Sequence, residues 1–185
     1  MTLDHDLLAR LEQMPSLLRR LIDEVPETLV RRRATTSEFS IVEHVWHLAD
    51  LEREGYGVRI TRLLTETAPR LADFDGAKVA REREYLGADL ALGLAVFAEA
   101  RRRNVERLRP LDDGALLRGG EQEGVGPVTL ANVVHMMDAH DRDHARELME
   151  LLGELSPGLA VRLALATHAA AGLLDVHPVI KQALT

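Results

Sequence analysis

The spacing of apolar residues constrains this chain more than any other feature. Leu3, Leu7, Leu11, Met14, Leu18, Leu21 and Val25 recur every three or four positions, the stripe of an amphipathic helix. The same period returns in three later segments. One carries Ile41, Val45, Leu48, Leu51 and Val58, the next Leu86, Leu90, Leu94, Phe97, Val105 and Leu108, and the last Leu130, Val133, Met137, Leu148 and Leu151 or Leu152. Each stripe needs another apolar face to cover it, and four long ones satisfy one another as a four-helix bundle. Aromatic residues make up only 3% of the chain, so the 46% that are apolar must build the core from Leu, Ala, Val and Ile. Runs of the kind that favour sheets are missing. The expected class is all-α.

Local signals divide these stripes. Ser40 followed by Glu43 resembles a capping box that opens the second helix. Thr129 suits the N-cap of the fourth, Pro110 stops the third, and the stretch from Gly153 to Gly158, with Pro157 inside it, ends the fourth. Pro15 predicts a kink or a restart in the first helix. Gly55 and Gly57 weaken the second helix without having to end it. Pro26 to Thr36 reads as a connection with one short turn, and Pro69 to Gly76 as a linker turning at Asp75-Gly76. Ala77 to Tyr85 reads as a short charged helix and Asp112 to Pro127 as a loop.

Charge and cysteine usage narrow the chemistry. The formal net charge is −7, which repels nucleic acid and anionic membranes. The triplets Arg31-Arg32-Arg33 and Arg101-Arg102-Arg103 are expected to be solvated helix faces or ends, not phosphate sites. There is no cysteine, so disulfides, thiolate nucleophiles and Cys-based zinc sites are excluded. A nucleophilic thiol would have to arrive with a substrate. The first six residues, Met1 to Asp6, lack an apolar signal-peptide core. The most apolar stretch, Leu159 to Leu174, is interrupted by Arg162 and His168 and is short for a bilayer span. A cytoplasmic protein without a membrane partner is expected.

The histidines are the chemically informative residues. His140 and His144 are four apart, one helical turn from each other, on a face shared with Met137 and Leu148. Two neutral imidazoles so placed can bind one ion. His135 lies roughly 140° round the helix from His140 and should point elsewhere. On the second helix, the stripe through Val45, Leu48 and Leu51 places His44 on one flank and His47 on the other, and spacing does not choose between them. A third imidazole from that helix would complete a three-His set with coordination positions left open, as catalysis requires. Asp50, Glu54, Asp141 and Asp143 are near enough in sequence to orient imidazoles. The plainer alternative is a set of buried histidines hydrogen-bonded to carboxylates of the bundle.

These residues resemble a known family. The run Ser40-Ile41-Val42-Glu43-His44-Val45-Trp46-His47-Leu48-Ala49-Asp50 is similar to the second-helix signature of the DinB/YfiT-like metalloenzymes of the DinB superfamily. Val128-Thr129-Leu130, followed by the run from His135 to His144, looks like that family's last bundle helix. Phe74-Asp75-Gly76 and the run from Ala80 to Tyr85 are similar to its linker region. The resemblance covers roughly residues 1–153. It implies a four-helix bundle with a crossover connection, commonly a homodimer, and a metal triad of His47, His140 and His144. Residues 154–185 depart from it and are expected to be an added helical segment, on the bundle or at a dimer contact. Leu159, Leu163, Ala166, Ala170 and Leu173 recur there at helical spacing, with a break at His177-Pro178. His168 and His177 are expected to be structural or exposed.

The family includes enzymes that join low-molecular-weight thiols to electrophiles. The resemblance therefore implies a metal-dependent thiol S-transferase holding Zn²⁺ or Ni²⁺, with a small thiol and an electrophile as substrates. Arg142 or Arg53 is available for an anionic part of the thiol. A second possibility is a metal-dependent hydrolase, with Glu54 or Asp50 as general base. A third is a non-enzymatic stress-response or ligand-binding bundle.

Overall fold

The computed structural model describes residues 5–34 and 39–171. The first stripe forms α1, His5–Asp23, and one turn, α2 (Glu27–Val30), follows it. The second stripe forms a single helical rod in three parts: α3 (Ile41–Asp50), a π-helical segment (Leu51–Tyr56) and α4 (Gly57–Thr65). The third and fourth stripes become α6 (Leu90–Leu108) and α8 (Leu130–Leu155). Between the rod and α6 lie strand β1 (Arg70–Leu71) and helix α5 (Gly76–Glu82), and between α6 and α8 lie helix α7 (Asp113–Leu116) and strands β2 (Gly119–Gln122) and β3 (Gly126–Thr129). Helix α9 spans Pro157–Ala171.

The capping signals hold. The Glu43 carboxylate accepts from the Ser40 backbone N–H at 2.9 Å and from the Ser40 hydroxyl at 2.7 Å, which fixes the start of α3. Arg33 grips the same carboxylate, so this member of the first Arg triplet is an anchor and not only a solvated charge. Thr129 caps α8, accepting from the Asn132 N–H at 3.2 Å.

Pro15 does not break α1. Proline lacks the N–H that would bond the carbonyl four residues back, which here belongs to Leu11. Arg101 supplies the missing donor: its Nη1 lies 3.0 Å from the Leu11 oxygen. The same guanidinium is 1% exposed and binds Asp141 at 2.5 and 2.9 Å and Glu52 at 2.9 Å. Asn104 completes this cluster by donating to the Glu52 backbone oxygen and carboxylate at 3.0 and 2.8 Å. The reading of the second Arg triplet as solvated is therefore wrong for Arg101. Arg102 and Arg103 are exposed and pair with Glu99 on their own helix.

The loop expected over Asp112 to Pro127 is instead α7 and a hairpin. β2 pairs antiparallel with β3, from Gly119 opposite Thr129 to Gln122 opposite Gly126, and β1 lies parallel to β2. Gly124, at φ +74°, turns the hairpin, a conformation that suits glycine. The strand Gly119-Gly120-Glu121-Gln122 has no apolar alternation, so nothing in its pattern announces a sheet.

Two apolar clusters fill the interior. One joins the C-terminal half of α1, α3, the first half of α6 and the second half of α8. The other joins the first turns of α1, the π-helical segment, α4, the end of α6, the start of α8 and the small sheet. Between them in sequence on α6 and α8 come Arg101 and Asn104, then Asp138, His140 and Asp141, so a polar band crosses the bundle. Leu159, Ala160, Leu163 and Ala164 of α9 belong to the first cluster, which places that helix on the bundle. The break at His177-Pro178 and Leu173 lie outside the described residues, as do the side chains of His168 and Ala170. No described helix is long and apolar enough to cross a membrane.

Candidate metal centre

Helices α3 and α8 bring four imidazoles together. His47 Nε2 lies 3.2 Å from His140 Nε2, and His144 Nε2 lies 3.1 Å from the same nitrogen. On the opposite edge of the His144 ring, Nδ1 lies 2.9 Å from His44 Nδ1 and 3.0 Å from a Glu147 carboxylate oxygen. His44 and His47 are therefore not on opposite flanks. Three residues along a helix leave side chains only about 60° apart, and both rings are buried against α8. Spacing could not choose between them because α3 is buried on nearly every side, Trp46 alone being partly exposed. His135 is exposed and takes no part.

Protons alone do not satisfy this cluster. A neutral imidazole carries one donor and one acceptor. His47 and His144 can both donate to His140 Nε2, but His140 Nδ1 and His47 Nδ1 then stay buried without a partner among the described residues, as does His44 Nε2. Charging the rings is also unfavourable. Burial lowers the pKa of His44 to about 3, of His47 to about 4 and of His140 to about 2, with repulsion from neighbouring imidazoles adding to the effect. These three rings are thus held neutral, and the Nε2 atoms of His47 and His144 converge on that of His140.

That arrangement fits a cation. Nitrogens bound to one ion at about 2.0–2.1 Å stand roughly 2.9–3.4 Å apart, for octahedral to tetrahedral angles. The two observed Nε2 separations, 3.1 and 3.2 Å, fall inside that range. Three nitrogens are one fewer than a closed structural zinc site uses. Glu147 sits three residues after His144 on the same helix, as an orienting carboxylate would, and its helical spacing was a signal that could have found it.

The wall beside His47 is shaped to admit the ring. A Cβ at Gly76 would lie 2.3 Å from His47 Cε1 and 2.4 Å from its Nδ1, so no larger residue fits without moving the imidazole. Phe39 and Phe74 flank it at 5.5 and 6.0 Å between ring centroids. A cavity of about 500 Å³ opens alongside, lined by Phe39, His44, His47, His144, Arg146 and Glu147 among others.

The carboxylates expected to orient imidazoles are engaged elsewhere. Asp50 accepts from the Tyr85 hydroxyl at 2.5 Å and from Arg83 and Arg53, and Glu54 pairs with the same two arginines. Hydrogen bonding by Arg83 holds the Glu54 carboxyl below its ordinary range. Asp141 belongs to Arg101 and Asp143 to Arg146. Arg53 is bound to Asp50 and Glu54, and Arg142 to Asp138, so both guanidinia are already paired.

The fold is similar to that of YfiT from Bacillus subtilis, described as a probable metal-dependent hydrolase with an unusual four-helix bundle topology. The TM-score is 0.75 at 23% identity, over 81% of this chain and 86% of that one. At that identity the likeness speaks for the fold alone. Comparison with curated proteins gives no match. The sequence profile of the DinB superfamily matches residues 10–148, a span that contains α3, α8 as far as Leu148 and all four clustered histidines. Sequence profile and bundle topology agree, and the chain belongs to the DinB superfamily.

Proposed function

We propose that His47, His140 and His144 hold one divalent ion, Zn²⁺ or Ni²⁺, and that the protein is a metal-dependent thiol S-transferase. The observation that carries the metal is the convergence of three imidazole Nε2 atoms at ligand spacing, from two buried histidines and a half-buried one. When bound, such an ion favours the thiolate form of a coordinated thiol at neutral pH, the form that attacks an electrophile. The chain itself has no cysteine, so the thiol comes with the substrate. Glu147 orients His144 from behind, and the cavity beside the histidines has room for a thiol and an electrophile together.

The choice of transfer over hydrolysis rests on the carboxylates. Activating water calls for a general base within reach of the reacting atom. Asp50 and Glu54 are committed to arginines, and Glu147 lies on the Nδ1 edge of His144, away from the Nε2 cluster. Thiol transfer needs no such base. Hydrolysis remains the second reading, favoured by the description of YfiT.

Elemental analysis of untagged protein tests the site first. About one ion per chain is expected, and loss of the ion in both His47→Ala and His140→Ala. An electrophile should then be consumed only when a small thiol is added. Turnover of an ester or amide without thiol would replace transfer by hydrolysis, and metal-free wild type after incubation with zinc or nickel would overturn both.

A further inference from the structure

His144 has a chemically distinct group on each edge of its ring. Its Nε2 faces His140 and His47. Its Nδ1 faces His44 Nδ1 at 2.9 Å and Glu147 Oε2 at 3.0 Å, and those two atoms are 3.9 Å apart. We propose that His44, His144 and Glu147 form a second, outer divalent-cation position, used in alternation with the three-His position as a loading step.

A single proton has to be shared among the three atoms of this outer trio. His44 is 2% exposed, and with Nδ1 as a ligand its Nε2 carries the ring's proton. If His144 Nδ1 carries the proton it donates to Glu147, and the bare His44 Nδ1 is left crowding the same N–H. If His44 Nδ1 carries it, the Glu147 carboxylate faces a bare nitrogen at 3.0 Å. A cation between the three atoms removes the conflict. Two of the three separations already match ligands about 2.0–2.2 Å from one ion. The third closes by a small movement of Glu147, whose side chain is 45% exposed.

Alternation follows from counting lone pairs. A neutral imidazole has one bare nitrogen at a time. With the proton on Nδ1, His144 serves the inner position and its N–H is taken by Glu147. With the proton on Nε2, it serves the outer one. His144 therefore cannot serve both as a neutral ligand, and moving the ion inward requires its proton to change nitrogens. The direction is set by access. All three outer ligands line the cavity of about 500 Å³, whereas of the inner ligands His47 and His144 do and His140 does not. An ion arriving from solvent meets the half-exposed carboxylate first. The outer position stands independently of the inner one, and only the passage between them depends on the inner triad binding metal.

Co²⁺ titration followed by visible absorbance tests the outer position in the double variant His47→Ala/His140→Ala, whose fold is checked by circular dichroism. The variant is expected to bind about one Co²⁺ per chain, about 10–100-fold more weakly than wild type. Adding His44→Ala should abolish that binding. A folded double variant that binds no Co²⁺, or binds it equally well without His44, overturns the proposal. Stopped-flow Zn²⁺ uptake tests the passage with the inner ligands intact. His44→Ala should still reach one ion per chain, several-fold more slowly than wild type, and an unchanged rate overturns the loading role. Should the double variant fail to fold, the uptake rate alone decides. An inner site that loads normally in His44→Ala would leave the function proposed above standing while this inference falls.

Discussion

Two buried polar clusters share the band between the apolar halves of this bundle, and they solve the burial problem in opposite ways. The Arg101 cluster contains its own cation. Its guanidinium meets two carboxylates and a backbone carbonyl, and Asn104 occupies what remains of Glu52. The imidazole cluster has no comparable partner charge within it. Burial holds His44, His47 and His140 neutral, and the Nε2 atoms of His47 and His144 converge on that of His140. The ion network pairs charge with charge and leaves only Arg101 Nε without a partner among the described residues, whereas the imidazoles converge with no cation among them. The clusters touch the same helix, with His140 and Asp141 adjacent on α8, so the first can hold the second in place.

The largest effect expected from this contrast falls on Arg101. Arg101→Met leaves Glu52 and Asp141 buried without their counter-charge and strips the Leu11 carbonyl of its donor. Urea unfolding should show a loss of about 3–5 kcal/mol. His140→Ala in metal-free protein should cost no more than about 1–2 kcal/mol. Equal losses in the two variants would erase the distinction between the clusters.

Acid sharpens the comparison from the other side. The native pKa values of His44, His47 and His140 are depressed to about 3, 4 and 2, against an ordinary value of 6.5. Below pH 6.5 the unfolded chain therefore binds protons that the native state refuses. The stability these rings contribute is complete above that pH and is lost as pH falls from 6.5 toward 4 and below. Metal-free protein should lose about 2 kcal/mol for each such histidine between pH 7 and 5, measured by unfolding in chelator, with the slope approaching about 1.4 kcal/mol per pH unit at the acid end. A flat profile would mean that the rings are not desolvated as described.

The smallest effect on stability, with a clear one on binding, is expected at Gly76. Gly76→Ala pushes a methyl group into the His47 ring and should weaken metal binding about tenfold in a competition titration. Unchanged affinity would show that the His47 orientation is not set by that wall.

Much of this arrangement is legible in the amino-acid sequence, because helices announce themselves by period. The four stripes, the Ser40 and Thr129 caps and the shared face of His140 and His144 follow from spacing alone. What spacing does not reveal is whatever depends on distant pairing. Arg101 reads as part of a solvated triplet because Glu52 and Asp141 are 49 and 40 residues away. The choice of His47 came from family resemblance, since a helix buried all round has no stripe to follow. The hairpin escaped because its first strand is glycine and polar residues. Helix α9 was visible as periodicity, while its membership of the core was not.

The Arg101 bond to the Leu11 carbonyl also has a historical consequence. A proline inside a helix is tolerable where another donor already stands ready, and costly where none does. Leu11 and Arg101 are 90 positions apart, yet they make Pro15 and Arg101 a contingent pair. A lineage reaching this pair takes the easier path by gaining the arginine before the proline, and leaves by the same path in reverse. Replacing Arg101 alone would then carry a penalty that replacing Pro15 alone does not.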